Sequence, residues 1–427
     1  MDEAPKALLV TLQPPGLSDS TAQSHLDELA GLVKTMGIDE SKGYVVRHRE
    51  PHPRLLVGSG KADEIVALAL DFGASLVIFD DDLSPSQQRN WEEFSGLTVI
   101  DRQEVILEIF SERAFTREAV LQVGLARMQY SLPRLARSYT NLSRQRGGAR
   151  GNRGGGEMQL ELDRRVILDK IDKLKDELDK VRRHRDRTRS KREGNTLPVA
   201  SIVGYTNAGK STLLNTLTDA GVLQEDKLFA TLDPTTRRTQ LGGGLEILLT
   251  DTVGFIQKLP HHLVDAFRST LEEAQFSDFL VHVVDASHQD WDVQRRTTLE
   301  VLASLGCGDK PQLLVFNKLD ALNGNEVLRR GLELQFPDAV FVSLLTGDGV
   351  DELKLQLSET LKSLRRPVLY RLPLHRGDLV GYLYKHAQVL SETYTDTAIE
   401  ITALAPPSAA AALAEFADET SPQESFQ

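Results

Sequence analysis

The sequence predicts an α/β fold in several parts, and three observations carry that prediction. Short β-branched or leucine-rich runs alternate with amphipathic stretches over residues 1–115 and again over 196–366, the pattern of strands joined through helices into a parallel sheet. Between these regions, apolar positions recur at heptad spacing from about Leu160, as in a long helix that packs along one stripe. Beyond residue 366, VLYRLPL, QVLSETYT and AIEITAL interleave with helical stretches. That reads as a small α+β domain over 367–416, with 417–427 a disordered acidic tail.

In residues 1–115 the expected strands are ALLVTL, RLLVG, SLVIF and LTVI. The segment VGSGKADEI sets Gly58, Gly60 and Lys61 at a strand-to-helix junction, as a phosphate-binding turn would. It lacks the four-residue spacer and the following Ser/Thr, so a tight turn is the reading. Over 116–195 a helix from about Thr116 to Leu135 precedes a second from about Leu160, whose Leu160, Ile167, Ile171, Leu174, Leu178 and Val181 form an a/d seam. The two predict an antiparallel hairpin; the other reading is a coiled coil between chains. Its tip is RQRGGARGNRGGG, Arg144 to Gly156. With no apolar side chain larger than alanine, that tip cannot enter a core.

Composition narrows the partners. The 427 residues are 40% hydrophobic and 26% charged, an ordinary globular balance for two to four domains. Cys307 is the only cysteine, which excludes a disulfide framework and fits a reducing compartment. The start MDEAPKALLVTL is acidic where a secretory signal is basic, and its apolar run is too short to span a membrane. A cytoplasmic protein without stable membrane insertion is expected, with peripheral association at a membrane surface left open. The net charge of −12 conceals an asymmetry: residues 127–192 hold 20 Lys+Arg against 9 Asp+Glu, leaving 30 against 53 elsewhere. One basic segment in an acidic chain suits a single face that meets a polyanion, or else a solvated helix surface.

The segment VASIVGYTNAGKSTLLN carries the chemistry. An apolar strand runs into Gly204, Tyr205, Thr206, Asn207, Ala208, Gly209, Lys210 and Ser211, then into a helix, the context a phosphate-binding loop needs. Backbone N–H groups there cradle the β-phosphate, Lys210 reaches the β- and γ-phosphates, and Ser211 ligates Mg2+. Downstream, LEILL ends in Asp251, Thr252, Val253 and Gly254, where an acid takes the outer Mg2+ shell and the Gly254 N–H reaches the γ-phosphate. QLLVFNKLD sets Asn317, Lys318, Leu319 and Asp320 at another strand end. The Asp320 carboxylate can accept from both N1–H and the exocyclic amine of guanine, donors that adenine lacks, so the site selects GTP. VFVSLLTGDGVDEL then supplies Ser343, with Leu344 and Leu345, to brace the guanine loop. Together these predict a P-loop G domain over 196–366.

Two positions stay open on spacing alone. LFATLDPTTRR should hold a threonine that ligates Mg2+ only beside a γ-phosphate, and Thr231, Thr235 and Thr236 all qualify. The residue after DxxG is Phe255, which cannot orient water as a glutamine does, so hydrolysis is slow or uses another group. Asn207 either holds a monovalent cation, K+, against the phosphates or stabilises its loop.

VGSGKADEI, LARMQYSLPRLARSYTNLSRQRGG, RGGGEMQLELDRR, GYTNAGKS, LFATLDPTTR, DTVGFIQKLPHHLVDAFRSTLEEA and NKLD together resemble the HflX family, in the Obg-HflX group of translational GTPases. Leu344 departs from it, alanine being usual there. The resemblance implies that Thr231 is the threonine on Mg2+, with Phe229, Ala230, Leu232 and Asp233 beside it in the nucleotide site. It implies GTP hydrolysis by a monomer on the large ribosomal subunit, separating stalled or idle ribosomes or acting in rescue or biogenesis. The hairpin would then carry Arg144, Arg146, Arg150 and Arg153 to rRNA phosphates and Tyr139 to a base. The other function classes are a nucleotide-gated switch for protein partners and ATP-dependent rRNA remodelling by the N-terminal domain.

Overall fold

A computed structural model describes residues 4–135, 153–190, 197–218, 228–242, 245–258, 273–322, 324–364, 367–405 and 407–418. They form two compact units. The first comprises residues 1–182 with 225–233 and 257–268; the second comprises 183–224, 234–256 and 269–427. The first therefore takes up two short stretches from within 196–366.

The first unit is built on a four-stranded parallel sheet of order β2-β1-β3-β4, with β1 Lys6–Gln13, β2 Glu40–Arg47, β3 Leu76–Phe79 and β4 Thr98–Asp101. Helices α1 Asp19–Thr35, α2 Ser59–Phe72, α3 Pro85–Ser95 and α4 Arg102–Arg113 connect and follow these strands. β1 is central, and its Ala7 to Leu12 are buried throughout, which is why it reads as an unbroken apolar run.

Two sequence expectations are corrected here. RLLVG is not a strand: the Trp91 Nε1–H donates to the Leu55 carbonyl at 2.9 Å, and Leu55 and Val57 enter the core from irregular backbone after Pro51 and Pro53. The missing strand is instead the polar ESKGYVVR of β2, which pairs only with β1 and so needs no second apolar face. Gly58 is the N-cap of α2 at an ordinary φ of −67°, and the Lys61 Nζ is turned onto Glu64. The turn is a helix start, as read.

Helix α5, Arg117–Ser131, pairs with a helix spanning Arg153–Ser190. Leu121, Leu125, Met128 and Leu132 pack against Ile167, Ile171, Leu174, Leu178 and Val181, so the predicted seam closes within the chain. Arg117 pairs with Glu177 while Gly124 lies against Leu174, so the sequence runs in opposite directions along the two helices. The second helix starts at Arg153, inside the segment expected as the tip, and takes Gly154 to Gly156 into its first turn. Those N–H groups have no intrahelical partner in any helix, so glycine is tolerated there. At the far end of α5, towards the tip, the buried Asp101 carboxylate accepts from the Tyr130 hydroxyl at 3.0 Å and Arg134 Nη2 at 3.2 Å, tying that end of the helix to the end of β4.

The second unit holds a six-stranded sheet of order β10-β9-β8-β5-β7-β6. Its strands are β5 Val199–Gly204, β6 Thr235–Gly242, β7 Leu245–Asp251, β8 Phe279–Asp285, β9 Gln312–Asn317 and β10 Val340–Phe341. All pairs are parallel except β6 with β7. Helix Lys210–Thr218 buries Leu213, Leu214 and Leu217 against β5, β6 and β7, and helix Val350–Leu364 buries Leu353, Leu357 and Leu361 against β6, β9 and β10.

A third sheet, β12-β13-β11-β14, is wholly antiparallel. It comprises β11 Val368–Pro373, β12 Gln388–Tyr394, β13 Ala398–Leu404 and β14 Ala417–Asp418, with helices Gly377–His386 and Pro407–Ala412. This β-α-β-β-α-β order is the split βαβ arrangement. β14 falls in residues expected as tail: Ala417 and Asp418 pair with Tyr370 and Leu369, and Asp418 forms an ion pair with Arg371 at 2.8 Å.

Candidate functional site

The loop from Gly204 to Ser211 leaves the carboxyl end of β5, a central strand, where ligands of open α/β sheets bind. Gly209 is obligatory twice over: its φ is +99°, and a Cβ there would collide with the Asn317 side chain. Asn207 sits at φ +60°, a left-handed conformation that asparagine tolerates, and its side chain is exposed.

Lys210 is buried and its Nζ donates to the Tyr205 carbonyl at 2.7 Å. Burial pushes its pKa down to about 8, with Asp251 opposing that shift. A buried ammonium with so little compensation favours an anionic ligand. The Ser211 hydroxyl donates to Asp251 Oδ2 at 2.7 Å, bringing the expected Mg2+ ligand and its outer-shell acid together. This donor set, one hydroxyl and one carboxylate beside a phosphate cradle, fits a hard cation that retains waters.

The residues after β7 close on the same loop. The Thr252 hydroxyl donates to the Ile202 carbonyl at 2.7 Å, and Val253 is buried. A Cβ on Gly254 would lie 2.8 Å from both Lys210 Nζ and Thr206 Cα, so only glycine brings its backbone this near. Phe255 has a role the sequence reading did not foresee. Its side chain is only 2% exposed, its N–H donates to the Gly204 carbonyl at 3.1 Å, and its carbonyl accepts from Thr206 N–H at 2.8 Å. Phe255 thus staples the two phosphate-facing loops, and its side chain is committed to the core.

At the base-reading end, Asn317 Nδ2 donates to the Ala208 carbonyl at 2.9 Å and Oδ1 accepts from Leu344 N–H at 3.2 Å. The Ser343 hydroxyl donates to Asp320 Oδ1, aiming that carboxylate. Leu344 is buried in the core, Leu345 is 84% exposed, and Leu319 packs beside Phe316. Lys318 sits at φ +65° with its Nζ 2.8 Å from Asp285 Oδ2, a partner no sequence motif announced.

Phe229 to Asp233 belong to the first unit. Phe229 meets Phe110 edge-on at 4.7 Å, Leu232 is buried, and Asp233 accepts from Phe115 N–H, Thr116 N–H and the Thr116 hydroxyl. Those three side chains are committed there, while Ala230 and Thr231 are half-buried. Thr235 and Thr236 open β6 opposite Asp251 and Thr250, which leaves Thr231 as the one of three candidates outside a strand. Tyr139, Arg144, Arg146 and Arg150 lie outside the described residues; Arg153 is the first residue of its helix. Among the described residues no cluster of His, Cys, Asp and Glu could hold a metal by itself, and no helix is long and apolar enough to cross a membrane.

The arrangement can cradle a polyphosphate against a buried lysine and read a purine edge with one braced carboxylate. Comparison with known proteins agrees. Family descriptions match in series: GTP-binding GTPase N-terminal over residues 23–111, GTP-binding GTPase Middle Region over 113–192, and 50S ribosome-binding GTPase over 199–318. The chain is 47% identical over 401 residues to a GTPase HflX of Lacrimispora saccharolytica, covering 94% of each chain. It is 45% identical over 413 residues to a GTPase HflX of Akkermansia muciniphila, again covering 94% of each. Among solved structures, a GTP-binding protein from the hyperthermophilic archaeon Sulfolobus solfataricus in complex with GDP aligns at 24% identity and a TM-score of 0.43, over 83% of this chain and 98% of that one.

Proposed function

Because the chain belongs to the HflX family of GTPases, we propose that it binds the large ribosomal subunit in the cytoplasm and couples GTP hydrolysis to the separation of stalled or idle ribosomes. The observation that carries this reading is the hairpin. Its apolar seam is satisfied between α5 and Arg153–Ser190, and although Arg127 and Arg134 pair with Glu108 and Asp101, the remaining excess of basic residues in 127–192 would suit an outside polyanion. The antiparallel pairing brings the end of α5 and the start of the second helix to one end of the hairpin. Arg144, Arg146, Arg150 and Arg153 would there contact rRNA phosphates, and Tyr139 would stack on a base.

P-loop GTPases generally use Mg2+, and Ser211 and Thr231 would hold it here; when bound, the ion neutralises charge on the β- and γ-phosphates. Lys210 adds a second positive charge to the same oxygens. The Gly254 N–H donates to the γ-phosphate, and Asp320 sets the guanine. With Phe255 committed to the core, the exposed Asn207 side chain would hold a K+ there, which would supply positive charge against the charge that builds up on the phosphates.

Cosedimentation with purified ribosomal subunits under GTP, GDP and a non-hydrolysable GTP analogue tests the reading. Retention on the large subunit that depends on nucleotide is expected, with hydrolysis stimulated by ribosomes. Equal partition in all three states, or stimulation only by a protein partner, overturns it.

A further inference from the structure

The first unit contains two stretches that lie beside the nucleotide motifs in sequence. Residues 225–233 include Thr231, and 257–268 begin three residues after Gly254. Their described residues, 228–233 and 257–258, make specific polar bonds within that unit. Lys258 Nζ reaches Asp80 and, at 3.3 Å, Asp81 at the carboxyl end of β3. The buried Arg102, paired with Asp80 at 2.7 Å and with Glu28, donates to the Gln257 carbonyl at 2.9 Å. In the other stretch, Leu228 N–H donates to the Thr35 hydroxyl at 3.3 Å.

The contact of Asp233 is the most informative, because it lies on the hairpin. Asp233 Oδ2 accepts from Phe115 N–H at 3.1 Å and Thr116 N–H at 3.0 Å, and Oδ1 accepts the Thr116 hydroxyl at 2.5 Å. Thr116 is itself the N-cap of α5, its hydroxyl oxygen accepting from Ala119 N–H at 3.2 Å. Because the Thr116 hydroxyl donates its hydrogen to Asp233, its oxygen lone pairs are left to accept from Ala119 N–H. The carboxylate also adds negative charge where the helix dipole favours it. A residue two positions after Thr231 thus completes the cap of the hairpin's first helix.

We propose that Asp233 is the positioning residue through which the stretch around Thr231 grips the base of the hairpin, so that the order of the first turn of α5 follows the nucleotide bound. Linkage makes the effect reciprocal: a polyanion that holds the hairpin in one arrangement shifts nucleotide preference by the same factor. The inference rests on the reading of Thr231 as the threonine beside the nucleotide and not on the ribosome as partner, so its test omits ribosomes.

The experiment is backbone hydrogen exchange at residues 115–119 of the full chain, saturated with GDP or with a non-hydrolysable GTP analogue. Rates at these amides are expected to differ between the two states by about fivefold or more, and Asp233→Ala is expected to erase the difference. Asp233→Glu, which keeps the carboxylate, should restore part of it, an outcome that a purely packing role would not give. If Asp233→Ala fails to fold, Thr116→Val removes the donor side of the same bond and should also reduce the difference. Identical rates in the two states of the native chain, or a difference that survives Asp233→Ala, overturns the proposal.

Discussion

Asn317 holds Ala208 from across the site: its Nδ2 donates to the Ala208 carbonyl at 2.9 Å while its Oδ1 takes the Leu344 N–H. One amide therefore ties the phosphate loop to the guanine loop, and Asn317→Ala leaves both backbone groups buried without it. Each orphaned group costs about 1–3 kcal/mol. GDP affinity should fall by tenfold or more on titration with a fluorescent analogue, with the hairpin helices still folded by circular dichroism. An unchanged affinity would mean that the two loops are held independently.

Lys210 predicts a proton linked to nucleotide binding. Burial holds its pKa at about 8, and phosphate oxygens beside it will raise that value. A lysine whose pKa rises on binding takes up protons wherever the free form is partly deprotonated. Calorimetry in two buffers of different ionisation enthalpy should therefore show uptake of about half a proton per GDP at pH 8, and only about a tenth at pH 7. Affinity should weaken as pH climbs above 8. Binding without proton uptake at pH 8 would show that the phosphates do not meet this ammonium.

Arg102 and Asp80 predict how the first unit responds to acid. Burial pushes the Asp80 carboxyl up, but Arg102 and Lys258 outweigh it and hold the pKa below its usual 3.8. A depressed pKa contributes stability that is present above the unfolded value and is lost as pH falls through the folded one. Arg102→Met leaves that buried carboxylate with Lys258 as its remaining cation, a loss of up to about 3–5 kcal/mol. Its pKa then rises, so protonation relieves the variant earlier. In urea unfolding the gap between native and variant chains should be widest at pH 7 and narrow towards pH 4. A gap independent of pH would assign the loss to packing alone.

These three cases also mark what sequence could reveal. The phosphate loop was legible because backbone geometry admits few residues there: Gly209 at φ +99° against Asn317 has no substitute. Asp320, Ser343 and the seam from Ile167 to Val181 were legible because each sits in a fixed spacing. Arg102, Asp80 and Lys258 were not, since their pairings span up to 178 residues and follow no period. At Phe255 the sequence shows the lack of a glutamine, yet its function lies in backbone bonds, which any residue type but proline can make. Edge strands such as β2 failed the apolar-run test because half of such a strand faces water, and RLLVG passed it because a buried loop needs apolar side chains too.

Asn207 predicts an ion dependence. If its exposed side chain holds K+ against the phosphates, replacing K+ by Na+ should slow hydrolysis by tenfold or more while GDP binding changes little. Asn207→Ala should be slow in both salts. Equal rates of the native chain in the two salts would leave Asn207 with its loop conformation alone.

The basic segment makes the last prediction. Arg144, Arg146, Arg150 and Arg153 lie far in sequence from Lys210 and from Asp320, and guanidinium groups meeting rRNA phosphates release counterions. Each such contact adds about 0.7–0.9 to the slope of log affinity against log salt. A chain with all four arginines replaced by serine should therefore bind large subunits more weakly at low salt, with a slope shallower by about 3. Its intrinsic GTP hydrolysis should match that of the native chain, because none of the four belongs to the nucleotide loops. Replacing Lys191 and Arg192 instead, beyond the helix that ends at Ser190, should change the slope by less. If the four-serine chain keeps both its affinity and its salt slope, the segment is a spacer, and the RNA contact belongs to the basic stretch that follows the seam.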